Sequence, residues 1–192
     1  DINMGCPVPK VVNNGEGSAL LKNPNLIEEI VRKVSSAISK PLTVKVRIGF
    51  ENEPVDIVEI AKRIEDAGAA ALAVHGRTRQ QYYSGTADWD TIRRVKEAIT
   101  IPVIGNGDVD SPLKAEALVK QTGCDAVMVG RAVRGNPWLF RELNHYFRTG
   151  ELLERPSVEE IREMILRHAR KQIELKAVSY THLRAHETLS DL

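Results

Sequence analysis

Cysteine is scarce in this chain, long apolar runs are absent, and the charges balance. Cys6 and Cys124 lie far apart without the spacing of a disulfide framework, so we expect a reducing, cytoplasmic compartment. No run approaches the roughly 18 consecutive apolar residues of a spanning helix, so we expect no membrane segment. With 27 Lys and Arg against 26 Asp and Glu, bulk charge attracts no polyanion, and nucleic acid must bind through a local patch.

The remaining composition is that of an ordinary soluble globular domain. The chain has 192 residues, of which 42% are hydrophobic, enough to bury a core. It opens on Asp1 rather than Met, so any targeting segment would lie upstream of this sequence.

Apolar, β-branched runs alternate with helical segments along the chain. The runs predict short buried strands at residues 42–48, 70–75, 101–105 and 125–130. Asn23-Pro24 and Ser111-Pro112 predict helix starts, and Gly68 and Gly123 follow the helices that they end. Because the start of the chain resembles the end of another strand, we predict five βα units.

Two α/β architectures fit this alternation, an open doubly wound sheet and a TIM (β/α)₈ barrel. Polar side chains gather at the carboxyl end of every predicted strand, and in a barrel these ends converge on one mouth, which favours the barrel. They are Asn3, Cys6, Lys45, Arg47, His75, Arg77, Asn106, Asp108 and Arg131. Since a barrel needs about eight strands and about 250 residues, we expect its C-terminal five βα units, strands 4–8.

The motif Asn3-Met4-Gly5-Cys6-Pro7 places a thiol on a turn shaped by Gly and Pro, directly after an extended segment. A thiol at a strand end can be aimed at a ligand. A lone Cys is also commonly a small buried hydrophobic residue, so the motif alone leaves both roles open. We expect Cys124 to be inert core.

Two glycine turns, at residues 105–108 and 130–132, follow the last two predicted strands. In barrels the loops at these positions often bind phosphate, because Gly lets backbone N–H groups approach the oxygens closely. Arg131 can pair with the same phosphate. Asn-Gly-Asp can equally form a plain turn, but the two turns together favour a phosphate site.

Lys45 lies in an otherwise apolar strand, two positions before Arg47 on the same face. A buried Lys needs an anionic partner or must extend its amine to the mouth. A reduced flavin carries negative charge near its ring N1, where a cation tunes it. The alternative is an ion pair with a neighbouring Asp or Glu.

Six motifs, in this order, resemble the tRNA-dihydrouridine synthases, especially the bacterial B-type enzymes. They are NMGCP at 3–7, VKVRIG at 44–49, HGRTR at 75–79, YSGTADW at 83–89, GNGDV at 105–109 and GRA at 130–132. The resemblance runs from Asp1 to about Lys176. It implies a partial flavin mononucleotide (FMN) barrel over residues 1–150 and the start of a helical RNA-binding domain over 151–176. It also implies tRNA as substrate and NADPH as electron donor.

Carried over residue by residue, the resemblance makes Cys6 the catalytic acid and places Asn3 in the substrate pocket. It assigns flavin contacts to Lys45, His75, Asn106, Gly107, Asp108, Gly130 and Arg131. The reaction that it implies passes hydride from flavin N5 to uracil C6, while Cys6 protonates C5 from the opposite face. In that role Cys6 must be protonated before turnover.

Arg77 and Arg79, with Tyr82 and Tyr83 close behind, predict a basic and aromatic loop at the barrel mouth. Such a loop suits phosphate and stacking contacts with RNA, and we predict that both arginines bind the substrate. The alternative is a solvated loop. Trp89 is expected to pack at a helix start.

Ser157-Val158-Glu159-Glu160 is a capping-box signature and predicts a helix. Its apolar face repeats at Ile161, Met164, Ile165 and His168. Residues 177–192 resemble translated sequencing adaptor, and we treat them as an artefactual tail. His182 and His186 there lack a third ligand, so we expect no metal site.

Two other functions remain open: a dihydroorotate or dihydropyrimidine dehydrogenase, and a non-catalytic RNA-binding barrel. The first shares a similar barrel with a Cys on the strand-four loop, but the NMGCP and HGRTR motifs favour the RNA enzyme. A pure binder would need neither Cys6 nor Lys45. We expect a monomer, and we expect this chain alone to be inactive.

Overall fold

Five short strands form one parallel sheet in the computed structural model, which describes residues 1–51 and 55–175. They are β1 Ile2–Met4, β2 Thr43–Gly49, β3 Ala71–Thr78, β4 Val103–Asn106 and β5 Ala126–Met128. Their order in the sheet is their order in the chain, β1-β2-β3-β4-β5. The chain divides into two compact units, Asp1–Leu152 and Leu153–Leu192, and the sheet belongs to the first.

Helices connect the strands and cover the sheet. They are α1 Pro9–Val12, α2 Pro24–Ala37, α3 Ile57–Asp66, α4 Trp89–Ala98, α5 Pro112–Thr122 and α6 Leu139–Thr149, with 3₁₀ turns at Gly17–Lys22 and Arg131–Val133. The core lies where their apolar faces meet the sheet, and includes Ile27, Val31, Ile60, Ile64, Ile92, Val95 and Leu118. Val44 and Val46 of β2 join this core. Because side chains alternate along a strand, Lys45 and Arg47 face the opposite side.

The predicted helix boundaries at the Asn-Pro and Ser-Pro pairs are confirmed. The Asn23 side chain accepts from the Leu26 N–H at the start of α2, and Ser111 accepts from the Lys114 N–H at the start of α5. Gly123 ends α5 with φ +68°, the left-handed conformation that glycine adopts without strain.

The α/β class and the five parallel strands are confirmed. A doubly wound sheet reverses its strand order at a switch point, whereas the described strands follow one another in sequence, as they do in a TIM barrel. Their assignment as strands 4–8 stays a prediction.

The four strands predicted at 42–48, 70–75, 101–105 and 125–130 each begin one or two residues later than expected, and the difference is largest for the run at 101–105. Residue Pro102 has no N–H to give to a ladder, and the N–H groups of Thr100 and Ile101 donate to the Glu65 carboxylate instead. The paired strand β4 therefore starts at Val103.

The second unit contains helix α7, Val158–Leu175. Its predicted capping box is confirmed, since the Ser157 N–H donates to Glu160 Oε2 at 2.8 Å and the Glu160 N–H donates to Ser157 Oγ at 3.2 Å. Within the described residues, no helix combines the length and apolar character that crossing a membrane requires. The predicted tail at 177–192, with both of its histidines, lies outside the described residues.

Candidate functional site

A cavity of about 670 Å³ opens at the carboxyl ends of the strands. Its volume lies within the range of about 300–1,000 Å³ that is typical of small-ligand sites. All five strands, or the loops that follow them, contribute to its wall. It brings together nine of the predicted site residues, namely Asn3, Cys6, Lys45, His75, Asn106, Gly107, Asp108, Gly130 and Arg131.

Strand register explains why these polar side chains meet. Arg47 lies opposite His75 across β2 and β3, and His75 lies opposite Asn106 across β3 and β4. Lys45, two residues before Arg47, donates from Nζ to Asn106 Oδ1 at 3.1 Å. Asn106 in turn donates from Nδ2 to the carbonyl of Met128 in β5 at 2.8 Å. These bonds link β2, β4 and β5.

Lys45 forms no ion pair with Asp or Glu among the described residues. The alternative of an intramolecular pair finds no support there. Burial, with the nearby Arg47 charge, lowers the pKa of Lys45 to about 8. An amine in this condition favours an anion, because a bound negative charge would offset the cost of burying the positive one.

His75 is neutral in this cavity. Burial, followed by the charges of Arg47, Lys45 and Arg77, lowers its pKa to about 3. Its ring can therefore give one hydrogen bond and accept another, but adds no positive charge at neutral pH.

The Cys6 turn is held at three points. The Gly5 N–H donates to Asn3 Oδ1 at 3.0 Å, and the Gly5 carbonyl accepts from Arg47 Nε at 2.9 Å. The Cys6 carbonyl accepts from Ser18 Oγ at 2.8 Å and from the Ser18 N–H at 3.0 Å. Cys6 itself is half-buried, and the turn presents it at the cavity wall.

Arg47, which the sequence placed at the barrel mouth, is a site residue to which the sequence prediction gave no role. Its side chain is buried, and Nη1 donates to the carbonyls of Thr78 and Tyr82 at 2.9 and 3.0 Å. Together with its bond to Gly5, these contacts join the Cys6 turn to the loop after β3. Its position on the same strand face as Lys45 was the signal that could have found it.

The Asp108 carboxylate already binds two groups of the protein itself. It adopts φ +59° and accepts from the Ala87 N–H at 2.7 Å, while Arg77 Nη2 lies 2.7 Å from Oδ1. Burial opposes its ionisation, but the bonds from Ala87 and Arg77 outweigh this and hold the pKa of Asp108 below its usual value. Arg131 Nη2 lies further away, at 3.7 Å.

Arg77 was expected to contact RNA from a loop at the barrel mouth, but its side chain is buried. Arg77 is 2% exposed and does not line the cavity. Its Nε donates to the Ser84 carbonyl at 3.1 Å and its Nη2 to the Gly85 carbonyl at 2.6 Å, besides the pair with Asp108. Its burial argues against direct contact with RNA.

Arg79 also lies outside the cavity wall. Its guanidinium Cζ is 5.3 Å from the centroid of the Phe50 ring, and Lys22 Nζ lies 4.0 Å from the same centroid. Neither cation forms an ion pair within the part of the chain that the structure describes. The two form a basic surface around Phe50, next to the loop after β3.

The two glycine turns differ in what they leave open. Gly107 has φ +132°, and a Cβ there would lie 2.6 Å from the Ala87 Cβ, so the chain's own packing requires glycine. Trp89 Nε1 donates to the Gly107 carbonyl at 3.2 Å. By contrast, nothing lies within 4 Å of a Cβ built on Gly130, so a ligand can approach this backbone closely.

Tyr83 lines the cavity between two arginines. The Cζ atoms of Arg131 and Arg47 lie 4.4 and 6.0 Å from its ring centroid, and Tyr82 meets it edge-on at 5.2 Å. Both tyrosines are exposed, as the predicted aromatic loop requires.

Comparison with known families decides the identity of this arrangement. The family model described as dihydrouridine synthase matches residues 1–189. The chain belongs to the dihydrouridine synthase family. The match extends into residues 177–192, which the sequence reasoning set aside; their origin stays a prediction.

Curated members of the dihydrouridine synthase family support a B-type assignment. The chain is 49% identical over 168 residues to tRNA-dihydrouridine synthase B of Pseudomonas putida and of Pseudomonas aeruginosa, covering 88% of this chain and 50% and 51% of theirs. It is also 49% identical over 175 residues to that of Shewanella oneidensis, covering 91% of this chain and 54% of the relative. The chain thus spans about half the length of these relatives.

Among solved structures, a similarity to the Amycolatopsis orientalis BexX/CysO complex is too distant to add to the family assignment. It has a TM-score of 0.42 and 22% identity, covering 70% of this chain and 55% of that one. The described residues of this family member hold no group of three or more His, Cys, Asp or Glu able to bind a metal ion.

Proposed function

We propose that the full-length protein containing this chain reduces specific uridines of tRNA to 5,6-dihydrouridine, using FMN and NADPH. One observation carries the proposal: the cavity that Cys6 lines also contains the open turn at Gly130 and Arg131, and Lys45, which has no acidic partner among the residues described. Family membership and the relatives' names support tRNA as the substrate. We further propose that the protein acts as a monomer in the cytoplasm.

The cavity residues fit FMN, which carries an anionic phosphate and an electron-rich ring. Lys45 has no carboxylate partner in the part of the chain that the structure describes, and the Asp108 carboxylate nearest to Arg131 is already paired with Arg77. The phosphate would bind at Gly130 and Arg131, where the backbone is accessible. Lys45 would face the ring, and His75, Asn106, Gly107 and Asp108 would complete the contacts.

Cys6 supplies the proton in this proposal. FMN, when bound, would supply hydride chemistry toward uracil C6, and C5 would then need a proton. The Cys6 S–H bond breaks, its proton forms the new C5–H bond, and the sulfur retains the negative charge until solvent reprotonates it. The ties from Asn3, Arg47 and Ser18 to the turn fix the backbone from which the thiol acts.

Arg77 and Arg79 take different roles in the proposal. Arg77 is a positioning residue, because its guanidinium is buried and joins the loop at Ser84 and Gly85 to Asp108. Arg79 would contact RNA phosphate from the basic surface around Phe50, and Asn3 would line the uracil pocket next to Cys6.

Family membership favours tRNA over the free pyrimidines on which dihydroorotate and dihydropyrimidine dehydrogenases act. Turnover assays with free pyrimidine bases separate these activities. FMN titration of the full-length protein separates an enzyme from a non-catalytic RNA-binding barrel, because only the enzyme requires the cofactor.

Nucleoside mass spectrometry tests the function directly. A full-length gene carrying this chain is introduced into a bacterial strain without dihydrouridine synthases, and tRNA is digested and analysed. We expect dihydrouridine with the unaltered gene and with Cys124→Ala, and none with Cys6→Ser. Absence of dihydrouridine with the unaltered gene, despite soluble protein, would refute the proposed function.

A further inference from the structure

Gly17 and Ser18, about eleven residues beyond Cys6 in the chain, pack against it. Beyond the Cys6 turn it forms α1, Pro9–Val12, and reverses so that Gly17 and Ser18 lie against Cys6. Ser18 is fully buried, and both its hydroxyl and its N–H donate to the Cys6 carbonyl, at 2.8 and 3.0 Å. One carbonyl thus receives two hydrogen bonds from one residue.

Gly17 packs against the same residue without space for a side chain. Its φ is +58°, and a Cβ there would lie 2.9 Å from both the Cβ and the carbonyl oxygen of Cys6, and 3.0 Å from Val11 Cγ1. The Cys6 carbonyl cannot move easily, because two hydrogen bonds from Ser18 fix its position. A methyl group at Gly17 must therefore displace the atom that carries the Cys6 sulfur.

We propose that Gly17 and Ser18 are positioning residues that set the location of the Cys6 thiol. The proposal rests on the proposed function for what the thiol does. Proton transfer requires heavy atoms within about 2.6–3.2 Å of each other. Because a misplacement of about 1 Å can cost about 10²-fold in rate, contacts at the Cβ of Cys6 are sufficient to control the reaction.

The same loop offers a matched control. Gly15 also has a left-handed backbone, with φ +77°, but nothing lies within 4 Å of a Cβ built there. Gly15→Ala and Gly17→Ala add the same methyl group at similar backbone geometry, two residues apart. Only the second methyl group reaches Cys6.

The first measurement is the alkylation rate of Cys6 by iodoacetamide in the full-length protein, followed by peptide mass spectrometry. We expect Gly17→Ala to accelerate alkylation at least about threefold, because a displaced turn exposes the thiol, and Gly15→Ala to leave the rate unchanged. The buried Cys124 reports general loosening of the fold in the same samples. Its alkylation rate should stay unchanged in both variants.

The second measurement is the rate at which substrate tRNA oxidises the pre-reduced flavin of the protein. We expect Gly17→Ala to slow this step about tenfold or more at unchanged flavin content, with Gly15→Ala close to the unaltered protein. Ser18→Ala should cause a smaller loss, because its backbone N–H still donates to the Cys6 carbonyl.

Equal behaviour of Gly17→Ala and Gly15→Ala in both measurements would overturn the proposal, as would a parallel acceleration of Cys6 and Cys124 alkylation. If tRNA fails to oxidise the flavin even in the unaltered protein while Cys6 alkylation still separates the two variants, the proposed function fails. The positioning role then stands.

Discussion

Lys45 and Asp108 show how differently two charged residues of one cavity can be used. Asp108 is satisfied by Arg77 and the Ala87 N–H, whereas Lys45 hydrogen-bonds a neutral amide oxygen and has no acidic partner among the described residues. The charge of Asp108 organises the protein, and the charge of Lys45 is available to a ligand. Burying a charge without a partner is costly, and a bound anion would offset that cost.

This difference predicts a pH dependence of FMN binding. Lys45 is charged below its pKa of about 8 and neutral above it, so the affinity for FMN should fall about tenfold between pH 7 and pH 9. Without ligand, the same lowered pKa makes the free energy of unfolding rise from about pH 8 to 10.5, since the unfolded chain binds the proton more tightly.

Titration of flavin fluorescence across this pH range measures the effect in the full-length protein. Lys45→Arg keeps its charge and should lose most of the pH dependence, while Lys120→Met, an exposed change on α5, should retain it. An unaltered slope in Lys45→Arg would exclude Lys45 as the titrating group.

Cys6→Ser tests the acid directly. A hydroxyl is a much weaker acid than a thiol, so we expect normal flavin content but loss of flavin oxidation by tRNA of about 10²-fold or more. Stopped-flow absorbance of the pre-reduced protein measures the rate, and Cys124→Ala is the control. A parallel loss of flavin would instead assign Cys6 a structural role.

At the scale of elements, the site depends on ties between loops that follow different strands. Arg47 joins the Cys6 turn after β1 to the loop after β3. Arg77 joins the segment at Ser84 and Gly85 to the Asp108 turn after β4. These two buried guanidinium groups bind mainly backbone carbonyls, which fixes loop positions that no regular ladder controls.

The Arg77–Asp108 tie predicts coupling between the two residues. We expect Arg77→Lys and Asp108→Asn each to lower the free energy of unfolding, and the double variant to lose less than the sum by about 1–3 kcal/mol. Urea unfolding of the unaltered full-length protein and its three variants measures this coupling. Flavin affinity should fall in parallel for Arg77→Lys, although Arg77 does not line the cavity. Additive losses would show that the contact carries no energy.

At the scale of the whole molecule, β1 and β5 are the edge strands of the described sheet. The side chains of β5 are incompletely buried, since Ala126 is exposed and Val127 and Met128 are half-buried. Unpaired strand edges and exposed apolar surface both reduce the cooperativity of folding and favour association.

This arrangement predicts that the isolated 192-residue chain is poorly soluble or lacks fixed tertiary packing. Differential scanning calorimetry and near-ultraviolet circular dichroism should show no sharp thermal transition, whereas a full-length protein that contains this chain should unfold cooperatively. A single cooperative transition of the isolated chain, independent of its concentration, would contradict the prediction.

The sequence by itself determined the alternation of strands and helices and its order. The helix starts at Asn23 and Ser111 and the capping box at Ser157 follow from contacts within a few residues, which local sequence encodes directly. The sequence also determined that the polar residues at the strand ends lie together, because parallel strands place their carboxyl ends on one side of the sheet.

Only the tertiary structure decided how the two strand arginines are used and what supports the thiol. Arg47 and Arg77 both lie near the carboxyl ends of apolar strands, yet one lines the cavity and the other lies beneath a loop. Their partners are carbonyls of distant segments, which no local pattern specifies. The approach of Gly17 to Cys6 likewise depends on the path of the chain in space, because it joins residues from opposite ends of a folded loop.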